Sequence, residues 1–186
     1  QRRRRHCSAH RRRGVAHRDR VRRGQNRSYW RDILWLERGI LFIGGRFPTS
    51  EVVVSGATVV GGTGAAFDAG TVNGLFVVDG STLSSGTQQG IYAAAVVATA
   101  DFQIRRVTMN SAAGTASGVG IVGDLAGTLA ISRSTLNSNG VGIRVHGDIN
   151  GVLSLQRCDV SSATSNGIDA GTLTGGKVAI TQGSIT

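Results

Sequence analysis

"LAISRSTLNSNGVGIRV" runs from Leu129 to Val145, and "LSLQRCDVSSATSNGIDA" runs from Leu153 to Ala170. Laid over one another from their first residues, both are apolar at positions one, three and eight: Leu129, Ile131 and Leu136 against Leu153, Leu155 and Val160. Position five is Arg133 or Arg157, position six is the small Ser134 or Cys158, and position ten is Ser138 or Ser162. Working outward, units of the same kind begin at Val52, Phe76, Phe102 and Val178, so that successive starts lie 24, 26, 27, 24 and 25 residues apart. A second signature closes most units: "GTVNG" from Gly70, "GDLAG" from Gly123, "GDING" from Gly147 and "GTLTG" from Gly171, with "AAAVVATA" standing in the unit from Phe76.

Self-similarity at a fixed interval of this size is the mark of a solenoid. Inside a unit the apolar residues alternate in short β-branched runs, the period of a strand, and Gly, Ser, Asn and Asp punctuate the corners. No stretch after residue 50 sustains a helical period. A lone coil of about 25 residues buries too few side chains to offset the entropy of ordering its backbone. Stacked coils satisfy one another's backbone groups and share one interior, so each layer must present the same inward residues. The pattern predicts an all-β stack of five to six coils over residues 51–186, continuing past the end of the chain. A leucine-rich-repeat-like solenoid is the alternative, although the Thr, Ser and Gly columns suit it badly.

On these columns the chain resembles the right-handed single-stranded parallel β-helix of pectate-lyase-like proteins and many bacterial surface passenger domains. The resemblance covers roughly residues 51–186 and rests on the repeat. It implies a secreted or cell-surface location of the bacterial type and a structural or adhesive role, with a polysaccharide or surface glycan as partner. The competing implication is a polysaccharide lyase or glycoside hydrolase acting on acidic polysaccharide.

The formal charge of +10 belongs to one end of the chain. Residues 1–46 carry 15 Arg against Asp19, Asp32 and Glu37, a balance of +12, whereas residues 47–186 carry five Arg and Lys177 against eight acids, a balance of −2. The stretch 1–28 lacks an apolar face and any DNA-binding motif, so a nucleic-acid role is not expected despite its arginines. It reads as a disordered tail or a non-native translation, and the chain as a piece of a longer protein. Residues 29–50 place Trp30, Ile33, Leu34, Ile40 and Leu41 so that they could share a helical face, giving either an amphipathic cap or a degenerate first coil. "ILFIGG" is far shorter than the roughly 20 residues a membrane span takes. Cys7 and Cys158 imply no disulfide framework.

Register turns columns into ladders. Asp124 and Asp148 fill the same place in "GDLAG" and "GDING", which would set their carboxylates about 5 Å apart on neighbouring coils. That is near the separation in retaining glycosidases, and paired carboxylates also suit Ca2+, the one cofactor considered. The plainer reading is a corner Asp hydrogen-bonded to nearby backbone, and Thr71 and Thr172 in the same column favour it. Arg106, Arg133 and Arg157 form a second ladder, able to grip carboxylates of an acidic polysaccharide through paired hydrogen bonds. Gln182 continues that column without charge, as a merely solvated row would. Pectate-lyase-like enzymes combine acids, Ca2+ and an Arg base on one outer face. The resemblance would therefore make Asp124 and Asp148 acids or calcium ligands, and Arg133 or Arg157 the base or clamp. Tyr92 is the one ring within the repeats expected to face a ligand. Asp79 with Arg105, and Arg144 with Asp169, read as exposed cross-strand ion pairs, Cys158 as core and His146 as isolated.

Overall fold

The computed structural model describes residues 27–30, 34–36, 40–41, 51–112 and 114–186, with side chains described from Glu51 onward. These residues form a parallel β-solenoid of about five turns, with no helix among them. Each circuit lays one strand into each of three parallel sheets. In one circuit the strands are Thr128–Ser132, Thr135–Ser138 and Val141–Val145, followed by a bridge at Ile149. We call the sheets I, II and III in that order; I and II hold seven strands each and III holds six.

The register is the one the columns predict. Phe76, Phe102, Leu129, Leu153 and Val178 stand in line across sheet I, as do Val78, Ile104, Ile131, Leu155 and Ile180. Across sheet II the line is Val59, Leu83, Met109, Leu136, Val160 and Ile185. Their side chains meet in one continuous interior. At its lower end Phe67, Phe76 and Phe102 pack edge to face, with ring centroids 5.2 Å apart, a favoured aromatic geometry. Burial here is a property of stacking rather than of the single strand. Ile131 is 1% exposed between two coils, while Ile180, in the same column of the last coil, is 47% exposed.

"AAAVVATA" proves to be no exception. Ala95–Val96 pairs with Thr71–Val72, and bridges then carry the line from Val96 through Leu125 and Ile149 to Leu173, a narrow fourth side. Varied coil length is absorbed at corners: Ser111 to Ser117 takes six steps where Ser138 to Val141 takes three, although both ends are in register. Three sheets per circuit without a helix is the β-helix arrangement, which replaces the leucine-rich-repeat alternative. Below residue 51, strands Arg27–Trp30, Leu34–Leu36 and Ile40–Leu41 pair in parallel with Glu51–Ser55, Thr58–Gly61 and Phe67–Asp68. Those pairings are the geometry of a further coil, not of a helix. The segment up to residue 26 lies outside the described residues, as do residues 31–33, 37–39 and 42–50. No helix among the described residues is long and apolar enough to cross a membrane.

The corner between sheets I and II explains two columns at once. Its first residue is left-handed in every coil from Glu51 on: Gly56 (φ 63°), Gly80 (57°), Arg106 (52°), Arg133 (50°), Arg157 (55°) and Gln182 (55°). That turn points the sixth-position side chain inward, where Ser81, Ser134 and Cys158 carry a donor and Ala57 and Val107 are apolar. Ser134 Oγ donates to the Ser132 carbonyl at 2.8 Å and accepts the Val107 N–H of the coil below at 3.1 Å. Ser81 repeats the arrangement with the Asp79 carbonyl and the Ala57 N–H. The tenth-position serines serve the next corner: Ser85, Ser111 and Ser138 donate to the carbonyls of Gly64, Gln88 and Ala116, each at 3.0 Å. Buried hydroxyls are thereby paired, as a low-dielectric interior demands. Gly151 closes the circuit where a side chain would run into the backbone of Ala126 and Gly127.

Candidate functional site

Position five, the arginine ladder, is thus a backbone corner before it is anything else. The guanidinium groups point to solvent, yet they do not act as a set. Arg106 is taken up by Asp79, with Nε and Nη2 at 3.0 and 2.6 Å from its two carboxylate oxygens. Arg157 Nε donates to Gln182 Oε1 at 2.8 Å. Arg133 has no ion pair or side-chain hydrogen bond among the described residues. The expected Asp79–Arg105 pair is a distant one, at 4.0 Å, because the bidentate fork of Arg106 holds the carboxylate. Asp79 itself is only 15% exposed, so this pair is less open to water than the sequence suggests.

Asp124 and Asp148 do stand on neighbouring coils beside the paired Leu125 and Ile149. Asp124 Oδ1, however, accepts the backbone N–H of Asp148 at 2.9 Å. Its carboxylate ties one corner to the next, and Gly147 has no side chain that would collide with it. Among the described residues no group of three or more His, Cys, Asp or Glu is placed to hold a metal ion. Two carboxylates, one already engaged on backbone, fall short of the roughly six to eight oxygen donors that Ca2+ takes. We therefore derive no chemistry through a calcium ion.

A further mixed surface lies on sheet III. Register puts Asp68, Tyr92, Gly120, Arg144 and Asp169 in one outward column on consecutive coils. Tyr92 is half-buried. Gly120 follows it and leaves a gap in the ladder of side chains, which Gln89 fills; a Cβ there would meet Ser117 Oγ at 2.7 Å and Gln89 Cγ at 2.9 Å. Beyond the gap, Arg144 Nε donates to Asp169 Oδ2 at 3.1 Å, the cross-strand pair that the sequence predicts. Asp68 Oδ1 accepts the Gly70 N–H at 2.9 Å, an Asx-type corner. Two residues further along the strands, Val122 is 48% exposed and His146 is exposed beside it.

Sequence reasoning found Tyr92 and the Arg144–Asp169 pair, but not Gly120 or Gln89, nor that Tyr92 shares the pair's column. Gly120 and Gln89 are silent by residue type, and the longer corner before Ser117 hides the alignment of Tyr92 with Gly120. Counting back from Val119 to the inward Ile91 would have exposed it. No family model matches this chain, and neither a curated protein nor a solved structure resembles it at a significant level.

Proposed function

We propose that this solenoid is a structural and adhesive stretch of a secreted or cell-surface protein, and that it holds a glycan against the outward face of sheet III. The observation that carries the reading is the column Tyr92, Gly120, Arg144, Asp169 on successive coils. A sugar ring needs an apolar platform for its C–H face and several planar donors and acceptors for its hydroxyls. Tyr92 supplies the platform, and Gln89, which covers the buried Gly120, supplies polar groups together with Arg144 and Asp169. Pectate-lyase-like resemblance in the repeat supports the same ligand class. The coils are taken to wind right-handed, as nearly all parallel crossover connections do.

The enzymatic alternative, a lyase or glycosidase on acidic polysaccharide, needs Asp124 and Asp148 free to act as acids and Arg133 or Arg157 as base. It is the weaker reading because Asp124 is engaged on backbone and Arg157 on Gln182. A glycan array read with the parent chain, Tyr92→Ala and Arg144→Ala decides the matter. Retention of a glycan class by the parent and its loss in both variants is the expected result. No retention by a folded parent chain would remove the adhesive reading. Release of unsaturated product from polygalacturonate, abolished in Asp148→Ala, would put the enzyme in its place.

A further inference from the structure

Sheet II turns a different surface to solvent. Thr58, Thr82, Thr108 and Thr135 stack in one outward column, and Val60, Ser84, Asn110, Asn137 and Ser161 in the column beside it. The corresponding faces of sheets I and III mix charged and uncharged residues, including Arg105 and Lys177 on I and Arg144 and Asp169 on III. On the described strands of sheet II there is no Lys or Arg, and Asp159 is the sole carboxylate.

These side chains are also held in a repeated geometry. Threonine is stiff about its first side-chain bond in a strand. In the second column Asn137 Nδ2 donates to Asn110 Oδ1 at 3.1 Å, and Ser161 Oγ donates to Asn137 Oδ1 at 2.9 Å. Parallel strands repeat at about 4.8 Å, and residues two apart along a strand at about 6.6 Å. The result, over the four coils from Thr58 to Thr135, is an uncharged two-column face led by threonine hydroxyl and methyl groups, with both intervals fixed by the backbone.

A ligand that reads such a face must itself be periodic in two directions. A single saccharide is served better by the varied groups of sheet III. A crystalline water lattice is periodic in this way, and a threonine offers it a hydroxyl to join the lattice and a methyl to order the adjoining water. We propose that the outward face of sheet II binds ice. The binding is independent of the glycan reading, since it uses another sheet and another chemistry. Asp159 interrupts the first column with a charge, which holds its own hydration shell against the lattice.

Thermal hysteresis and inhibition of ice recrystallisation test this on the full chain. The parent is expected to shape ice crystals and to inhibit recrystallisation. Thr108→Tyr, at the middle of the face, should lose most of that activity while keeping its melting temperature. Ala130→Tyr, the same bulk on the outward side of sheet I, should keep it. Asp159→Thr should raise it by completing the column. If Thr108→Tyr fails to fold, Thr135→Lys serves in its place. A folded parent without effect on ice would overturn the proposal, and so would equal activity in parent and Thr108→Tyr. A parent dimer that Thr108→Tyr converts to monomer, with no effect on ice, would overturn it in favour of self-association.

Discussion

The apolar inward columns of this solenoid run through every coil from Glu51 on, whereas the outward threonine column of sheet II holds for four coils and gives way at Asp159, and the causes differ. Inside, Val78, Ile104, Ile131 and Leu155 recur because each must fill the space left by the coil beneath. Outside, Thr58, Thr82, Thr108 and Thr135 recur although no neighbour packs over them. Sheet I shows what an outer column looks like when register alone constrains it: Ser55, Asp79, Arg105, Ser132, Gln156 and Thr181. Uniformity on a solvated face therefore calls for a cause other than packing. Substitutions that separate stability from surface chemistry can break or sharpen that contrast.

The largest effect belongs to the interior. Ile131→Asp puts an unpaired carboxylate between two coils and should cost roughly 3–5 kcal/mol, enough to unfold or aggregate the chain. Ala130→Asp, one residue away and facing outward, should cost a few tenths of that. Comparable melting temperatures for the two would show that inside and outside have been assigned wrongly.

An intermediate effect is expected at the corner. Arg133 has φ 50°, a conformation that a β-branched residue resists strongly. Arg133→Val should therefore lose about 1–2 kcal/mol, whereas Arg133→Ala should change stability by less than about 0.5 kcal/mol, there being no side-chain partner to lose. Equal losses in a denaturant titration would mean that the guanidinium matters and the backbone conformation does not. A smaller change still is expected on sheet II. Thr108→Lys should cost under about 1 kcal/mol, the span of strand propensities on an exposed face. A loss as large as that of Ile131→Asp would make the threonine column a stability device and remove the reason to assign it a ligand.

How much of this was legible in the chain follows from which residues carry it. The inward columns could be read because packing forces like residue types into them, so Leu129 announces Leu153 and Ile131 announces Leu155. The corner could be read only in part. Gly56 and Gly80 stand in the column of Arg106, Arg133 and Arg157, and two glycines ahead of three arginines signal a left-handed backbone, yet charge draws attention first. The bond from the Asp148 backbone to Asp124 was only half visible, because spacing gives the column but not which oxygen faces which N–H. The sheet III cluster was only partly visible: Arg144 and Asp169 could be paired by spacing, but the longer corner before Ser117 shifts the spacing that would join Tyr92 and Gly120 to them. A glycine gap beside a tyrosine has no signature in one dimension.

Cys158 offers the finest test of the interior rule. It occupies the position that Ser81 and Ser134 fill in other coils, and its thiol lies 3.2 Å from the Ile131 carbonyl and 3.4 Å from that of Gln156. Burial pushes the thiol above its ordinary value of 9.0, with hydrogen bonds from backbone opposing the shift. Below that ordinary value the thiol is protonated in both folded and unfolded chains, and its contribution is fully present. As pH rises past it, the unfolded chain ionises first, so stability falls until the folded thiol ionises as well. Cys158→Ser should fold with a stability within about 1 kcal/mol of the parent at neutral pH, since a hydroxyl already serves this corner in two other coils. It should also remove the thiol's share of the alkaline loss. Denaturant titrations of both proteins across the alkaline range measure the difference. Parallel curves would show that the buried column does not discriminate between thiol and thiolate, and so is wetter at this coil than the packed interior around it.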